Sequence, residues 1–143
     1  MTRFAADMEK EGIERIGVDF DGVLSKWYET SSAEYIPEKV GEPVPEMIER
    51  VKRWLAEGKE VVIFTARVHP GHGEEAERAK GAIEKFCMEH FGRVLEVTCM
   101  KDPAMTSIYD DRAVTVEKDT GRILTPGFED EEKEPPDSLG SLL

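Results

Sequence analysis

Ile16-Gly17-Val18-Asp19-Phe20-Asp21-Gly22-Val23 decides the reading of this chain. An apolar run stops at Val18, and two carboxylates spaced one residue apart follow, closed by a glycine. Three further apolar or β-branched runs, at residues 61–64, 94–99 and 108–109, also read as buried strands bounded by turn or polar residues. Thr65 closes the second, Lys101 follows the third, and Asp110-Asp111 closes the fourth. In an open parallel sheet, ligands bind outside the carboxyl ends of the strands, so these side chains can share one small volume. Clustered carboxylates repel unless a cation joins them. An oxygen-only ligand set with room for water suits Mg²⁺, which prefers octahedral geometry.

Between these runs lie helical patterns. Pro45 opens a segment in which Met47, Ile48, Val51, Trp54 and Leu55 keep helical spacing, and Gly58 stops it. Ala76, Ala79, Ile83, Phe86, Cys87 and His90 form a second stripe over residues 74–91, closed by Gly92. Trp54 and Phe86 read as core, and His90 as a helix boundary residue. Residues 113–117 and 122–125, joined by Lys118-Asp119-Thr120-Gly121, read as a hairpin at the end of the sheet. The predicted class is α/β, a three-layer Rossmann-like domain with a mainly parallel sheet and helices on both faces.

Composition agrees with one folded domain. The chain has 143 residues, 39% hydrophobic and 35% charged, a soluble globular balance that buries roughly two thirds of its unfolded surface. No run reaches membrane-spanning length and the first residues lack a secretory pattern, so a cytoplasmic site is the default expectation. Cys87 and Cys99 show no metal or redox spacing and read as free thiols. The net charge of −12 argues against unaided nucleic-acid binding, which relies on clustered Lys and Arg. Residues 129–137 hold six acids against one lysine, yet the remainder is still acidic. Residues 1–127 are expected to form the single domain, and residues 128–143 an acidic, flexible tail.

The residues themselves outline a phosphoryl-transfer site. Asp19 is positioned as a nucleophile, producing an aspartyl-phosphate, with Mg²⁺ held by Asp19 and Asp110 to cancel the phosphate's charge. Asp21 would give a proton to the leaving alkoxide and later take one from water. Gly22 would let the backbone approach phosphate oxygens, with Thr65 and the N–H of Ala66 binding another. Lys101 would supply a fixed positive charge, and Asp111 a contact to metal-bound water or to Lys101. Arg67 fits substrate phosphate or a structural salt bridge equally well. Trp27 and Tyr28 fit stacking on a planar leaving group or pinning of the loop between Gly22 and Pro45. His69 and His72 read as polar surface. Taken singly, each motif also reads as a turn or a cap, and Lys101 as a surface lysine.

In order along the chain, Asp19-Phe20-Asp21-Gly22, Thr65, Lys101 and Asp110-Asp111 resemble the four motifs of the haloacid dehalogenase superfamily, over about residues 13–125. The resemblance implies the same roles at the matching positions and adds the backbone carbonyl of Asp21 as a metal ligand. Dehalogenases of that group lack the second acid of the first motif, so Asp21 points to phosphohydrolysis. The intervals from Asp19 to Thr65 and from Thr65 to Lys101 are too short for an inserted cap domain. Capless members of that superfamily often act on large substrates or close their sites with a neighbouring subunit; the leading expectation here is a small phosphorylated metabolite or nucleotide, with a second copy of the chain able to close the site. The alternatives are a phosphatase of nucleic-acid or protein phosphate ends, and a noncatalytic phosphate-binding regulatory module. A receiver domain is excluded because its acidic pair comes near the start and its phosphorylated Asp mid-chain.

Overall fold

The computed structural model describes residues 12, 14–27 and 35–130. The chain divides after Asp111 into two compact units, one within residues 1–111 and one within residues 112–143. Unit one is an α/β sheet domain. Its strands are Arg15–Val18 (β1), Glu60–Phe64 (β2), Glu96–Thr98 (β3) and Met105–Tyr109 (β4), with helices Pro45–Ala56 (α1) and Glu74–Phe91 (α2) in the first two crossovers. The sheet order is β3-β2-β1-β4, and every pairing is parallel.

Both helices start and stop where local chemistry requires. α1 begins with Pro45, whose missing N–H costs nothing at a first turn, and carries Glu46 near its start and Arg53 near its end, matching the helix dipole. α2 opens with Glu74, Glu75 and Glu77 and ends at Gly92, whose φ of 72° lies in the left-handed region that glycine tolerates.

The two crossovers step in the same direction across the sheet. A right-handed path then carries both helices over one face. Alternation along the strands agrees: Ile16, Val18, Val61, Ile63 and Val97 join a single cluster with Ile48, Val51, Trp54, Ile83 and Phe86. Phe20 and Phe86 meet edge to face at 5.1 Å between ring centres. Each of these large side chains contributes about 1.5 to 3 kcal/mol by leaving water. Cys87 lies in the same core, and burial pushes its thiol pKa up to about 11, so it behaves as a small hydrophobe. The all-parallel sheet flanked by helices is the α/β, Rossmann-like class expected from the sequence.

Strand lengths differ from the apolar runs for a physical reason. β3 is an edge strand paired only with β2, so just three residues find partners; Val94 is left 49% exposed and Cys99 lies beyond the strand. β4 extends back to Met105 because Thr106 and Ser107, which interrupt the apolar run, lie along β1, with a register irregularity at Arg15/Ile16. Arg15 itself is buried and tied to Glu96 and Asp102, linking β1 to β3 and to the segment before β4.

In the second unit, residues 113–125 fold back as predicted, through the antiparallel bridge Val116–Ile123 and a 2.7 Å hydrogen bond from Glu117 N to Arg122 O. Asp119, at φ 65°, and Gly121 make the turn. Most of the acidic tail, residues 131–143, lies outside the described residues. No described helix is long and apolar enough to cross a membrane.

Two glycines separate packing from conformation. A Cβ on Gly41 would stand 1.9 Å from the backbone oxygen of Lys26, whereas one on Gly81, inside α2, would meet nothing within 4 Å. Gly81→Ala should therefore raise the melting temperature by about 1 to 4 °C, the gain from roughly 0.5 to 1 kcal/mol of helix propensity. Gly41→Ala should lower it by more than that. Thermal denaturation of the two variants checks both signs.

Candidate metal and phosphate site

The turn after β1 is built on one carbonyl. Phe20 O accepts hydrogen bonds from the amides of Val23, Leu24 and Ser25, at 3.3, 3.0 and 2.9 Å, while the Phe20 and Leu24 side chains are fully buried beneath it. Residues 24–26 then pair with residues 42–44 through Lys26 N to Glu42 O and Val44 N to Leu24 O, both 2.8 Å. The turn is thus fixed from below and from the side. On its other flank Asp19 N donates to Tyr109 O at 2.9 Å, continuing the β1–β4 ladder to the residues next to Asp110.

That ladder brings three acids together. Asp19, Asp110 and Asp111 each offer a carboxylate oxygen, and these oxygens all lie within 4.8 Å of one another. Burial pushes the pKa of Asp19 up to about 7, aided by the negative charge of Asp110 and by a hydrogen bond and the charge of Asp111. The amide of Phe20, which donates to Asp19 Oδ1 at 2.8 Å, is the influence that favours its ionised form. No described basic side chain forms an ion pair with Asp19. A half-buried, oxygen-only donor set with one exposed member fits a hard divalent cation that keeps part of its water.

Gly22 has φ +87°, and a Cβ there would stand 2.6 Å from Asp111 Oδ2 and 2.8 Å from Trp27 Nε1. Its N–H is committed to Ser25 O at 2.7 Å. Gly22 therefore contributes room for Asp111 and Trp27 and not, in this arrangement, the free amide that the sequence reading assigned to it. Trp27 is 58% exposed with its indole nitrogen beside the acidic cluster. Tyr28 lies outside the described residues.

Asp21 and Arg67 form the most extensively bonded contact of the site. Arg67 Nε and Nη2 donate to the two Asp21 oxygens, both at 2.7 Å, and Nη1 donates to the carbonyls of Lys39 at 2.8 Å and Pro37 at 3.2 Å. The guanidinium also lies over the Phe20 and Tyr35 rings, at 5.5 and 5.7 Å. Of the two roles open to Arg67, this is the structural salt bridge. The carboxylate of Asp21 is turned toward Arg67 and does not belong to the three-acid cluster.

Thr65 is buried at the end of β2 and caps the following 3₁₀ turn, its Oγ1 accepting from Arg67 N at 3.2 Å. Its hydroxyl proton stays available to an incoming acceptor. Ala66 is exposed at the first position of that turn. Lys101 is exposed and makes no ion pair with a described acid, while its neighbour Asp102 is held by Arg15. The structure thus assembles Asp19, Asp110 and Asp111 and sets Thr65 two strands from β4. His69 and His72 are exposed and meet edge to face at 6.4 Å.

The loop carbonyls of Pro37 and Lys39, partners of Arg67, were not legible in the sequence, because main-chain acceptors leave no sequence signal. Nor was the role of Ser25, which is fully buried and accepts from Gly41 N at 2.8 Å.

No family model matches the chain, and no curated protein matches it. A solved structure of a conserved protein from Bacteroides thetaiotaomicron is similar at 21% identity, covering 71% of this chain and 78% of that one, with a TM-score of 0.46.

The acidic cluster couples folding to pH, and a bound cation would couple to the same oxygens. Asp19 binds its proton more tightly in the folded chain than at its ordinary value of 3.8, so this stabilisation is complete below about pH 4 and is lost as pH rises toward about 7. Metal-free protein should lose stability across that window. Added Mg²⁺ should raise the melting temperature more at pH 8 than at pH 5, because protons compete for the same oxygens. Asp111→Asn should flatten the pH dependence. Melting curves at fixed ionic strength, with and without Mg²⁺, check the sign.

Proposed function

We propose that this chain is a Mg²⁺-dependent phosphomonoester hydrolase of the capless haloacid dehalogenase kind, acting through an aspartyl-phosphate at Asp19. The observation that carries this reading is the convergence of Asp19, Asp110 and Asp111 at the carboxyl ends of two neighbouring parallel strands. Thr65 at the end of the next strand adds a hydroxyl donor. The motif order of the sequence supports the same reading.

Asp19, Asp110 and Asp111 would hold the cation, which supplies positive charge to the phosphate oxygens. A carboxylate oxygen of Asp19 attacks phosphorus as the ester P–O bond breaks. The leaving alkoxide takes a proton from Asp21. Water then attacks the phosphorus of the aspartyl-phosphate, Asp21 takes that water's proton, and phosphate and free Asp19 are regenerated. Thr65 donates its hydroxyl proton to a phosphate oxygen. Lys101, exposed after β3, would supply positive charge to the nucleophile and phosphate.

Arg67 constrains this scheme. With both oxygens accepting from the guanidinium, Asp21 gives a proton only after one of those contacts opens. Substrate binding near the loop of residues 35–40 would have to loosen the Pro37 and Lys39 contacts that hold Arg67. The same contact favours a second reading, a phosphate-binding module in which Asp21 and Arg67 serve only to fix the loop.

The readings separate by turnover. Asp19→Asn should abolish phosphate release from a phosphomonoester panel without lowering the melting temperature, and EDTA should abolish wild-type activity. Phosphate release that survives EDTA would overturn the metal-dependent reading. Asp21→Asn should cost about 10²- to 10⁴-fold for alkyl esters and far less for a nitrophenyl ester, whose leaving group needs no proton. Folded wild-type protein that binds Mg²⁺ but releases phosphate from no ester would favour the binding module.

A further inference from the structure

The carboxyl end of the sheet carries a second feature beside the acidic cluster. A cleft of about 530 Å³ opens between the turn after β2, the first half of α2 and the segment leaving β3. Val68, Pro70, Val97 and Met100 give it apolar walls, and Glu77, Lys80 and His69 supply the polar groups. Its size falls within the roughly 300 to 1,000 Å³ of small-molecule sites, and mostly apolar walls with a few polar groups are their usual composition.

The order β3-β2-β1-β4 sets the cleft in line with the site already described. The acids stand over β4 and β1, Thr65 over β2, and the cleft over β2 and β3. Neighbouring strands are about 4.8 Å apart, so β1 and β3 are separated by about 10 Å. Thr65 N donates to Thr98 O at 2.8 Å, which joins the floor of the phosphate position to the wall of the cleft. A phosphate held at Asp19 and Thr65 can extend its ester group along this line.

We propose that this cleft binds the organic part of the phosphomonoester, and that this part is a nucleoside. The inference rests on the phosphatase reading and names its substrate class. A planar base suits the apolar walls. A free sugar phosphate suits them less, because hydroxyls buried against Val68 and Met100 would lose water without gaining partners. Glu77 and Lys80 lie three residues apart on α2 and present an acceptor and a donor side by side, matching the adjacent donor and acceptor of a base edge. His69 Nδ1 accepts from Gly71 N at 2.9 Å, so its Nε2 carries the proton of the neutral ring and is a further donor. Met100 is 71% exposed at the rim, where a polarizable, adaptable side chain can lie along a base.

The test separates the cleft from the chemistry. Adenosine, guanosine, cytidine and uridine are titrated in turn into full-length protein without Mg²⁺, following the methyl signals of Val68, Val97 and Met100 by NMR. At least one nucleoside should shift all three. In parallel, kcat/KM is measured with Mg²⁺ for the matching nucleoside monophosphate and for ethyl phosphate. Met100→Glu, at an exposed position, should lower the nucleotide value about tenfold, as loss of an apolar contact does, and leave ethyl phosphate unchanged. Methyl shifts in a protein that hydrolyses neither ester would support the cleft and overturn the phosphatase reading. Hydrolysis of both esters with no methyl shift, or equal loss for both in Met100→Glu, would overturn the cleft and leave the phosphatase reading standing. Selectivity for nucleotides lost in Trp27→Ala but not in Met100→Glu would also overturn it.

Discussion

Like charge held together against its own repulsion is the constraint around which this domain is arranged. Three carboxylate oxygens within 4.8 Å of one another would repel by up to about 4 kcal/mol per pair at an effective dielectric of ~20, less where solvent screens them. Side-chain packing alone would let such groups swing apart. What prevents this is backbone pairing: β1 and β4 run parallel and in register from Ile16 and Ser107 up to Val18 and Tyr109, and the hydrogen bond from Asp19 to Tyr109 extends the ladder one residue further. With the backbone holding the three acids near one another, burial first and then the charge of Asp110 raise the pKa of Asp19 to about 7.

The second fixed element is Arg67. A buried guanidinium is tolerable only when its charge and donors are met, and here a bidentate carboxylate, two carbonyls and two aromatic rings meet them. The same contacts tie three chain segments together: the turn after β1, the loop at residues 35–40 and the turn after β2. Asp21 is consequently part of a loop anchor as well as a neighbour of the acidic cluster. A carboxylate in this position can serve proton transfer only after one of its contacts to Arg67 opens, which ties any catalytic role of Asp21 to the contacts that Arg67 makes with the loop at residues 35–40.

Sheet order supplies the direction of the site. Because β4 lies beside β1 and β3 lies at the far edge, the acidic and apolar features occupy opposite sides of Thr65 and not one shared hollow. An ester with a charged end and an apolar end matches that polarity. The short edge strand β3 helps to create the cleft, since pairing ends at Thr98 and the chain turns away through Met100, whose amide bonds Thr98 Oγ1 at 3.0 Å.

The sequence by itself determined the local structure. Apolar runs ending in acids or Thr65, the stripes over residues 45–56 and 74–91, and the glycines that close them are nearest-neighbour properties, and the strands and helices form there. It also named Asp19, Asp21, Asp110 and Asp111 for one cation, because ligands of an open parallel sheet gather at its carboxyl ends, and the fold brings the carboxylates of Asp19, Asp110 and Asp111 together. Tertiary structure decided the rest. The sheet order set which strand ends are neighbours, and no local pattern encodes it. Arg67 could have faced a phosphate or an acid until the backbone carbonyls of Pro37 and Lys39 supplied the remaining acceptors. Gly22 could have offered its amide until Ser25 claimed it. Lys101 holds its place in the chain order with an exposed side chain, next to Asp102 in its ion pair with Arg15. Sequence spacing fixes which strand end a residue follows, whereas hydrogen-bond partners distant along the chain determine where its side chain points.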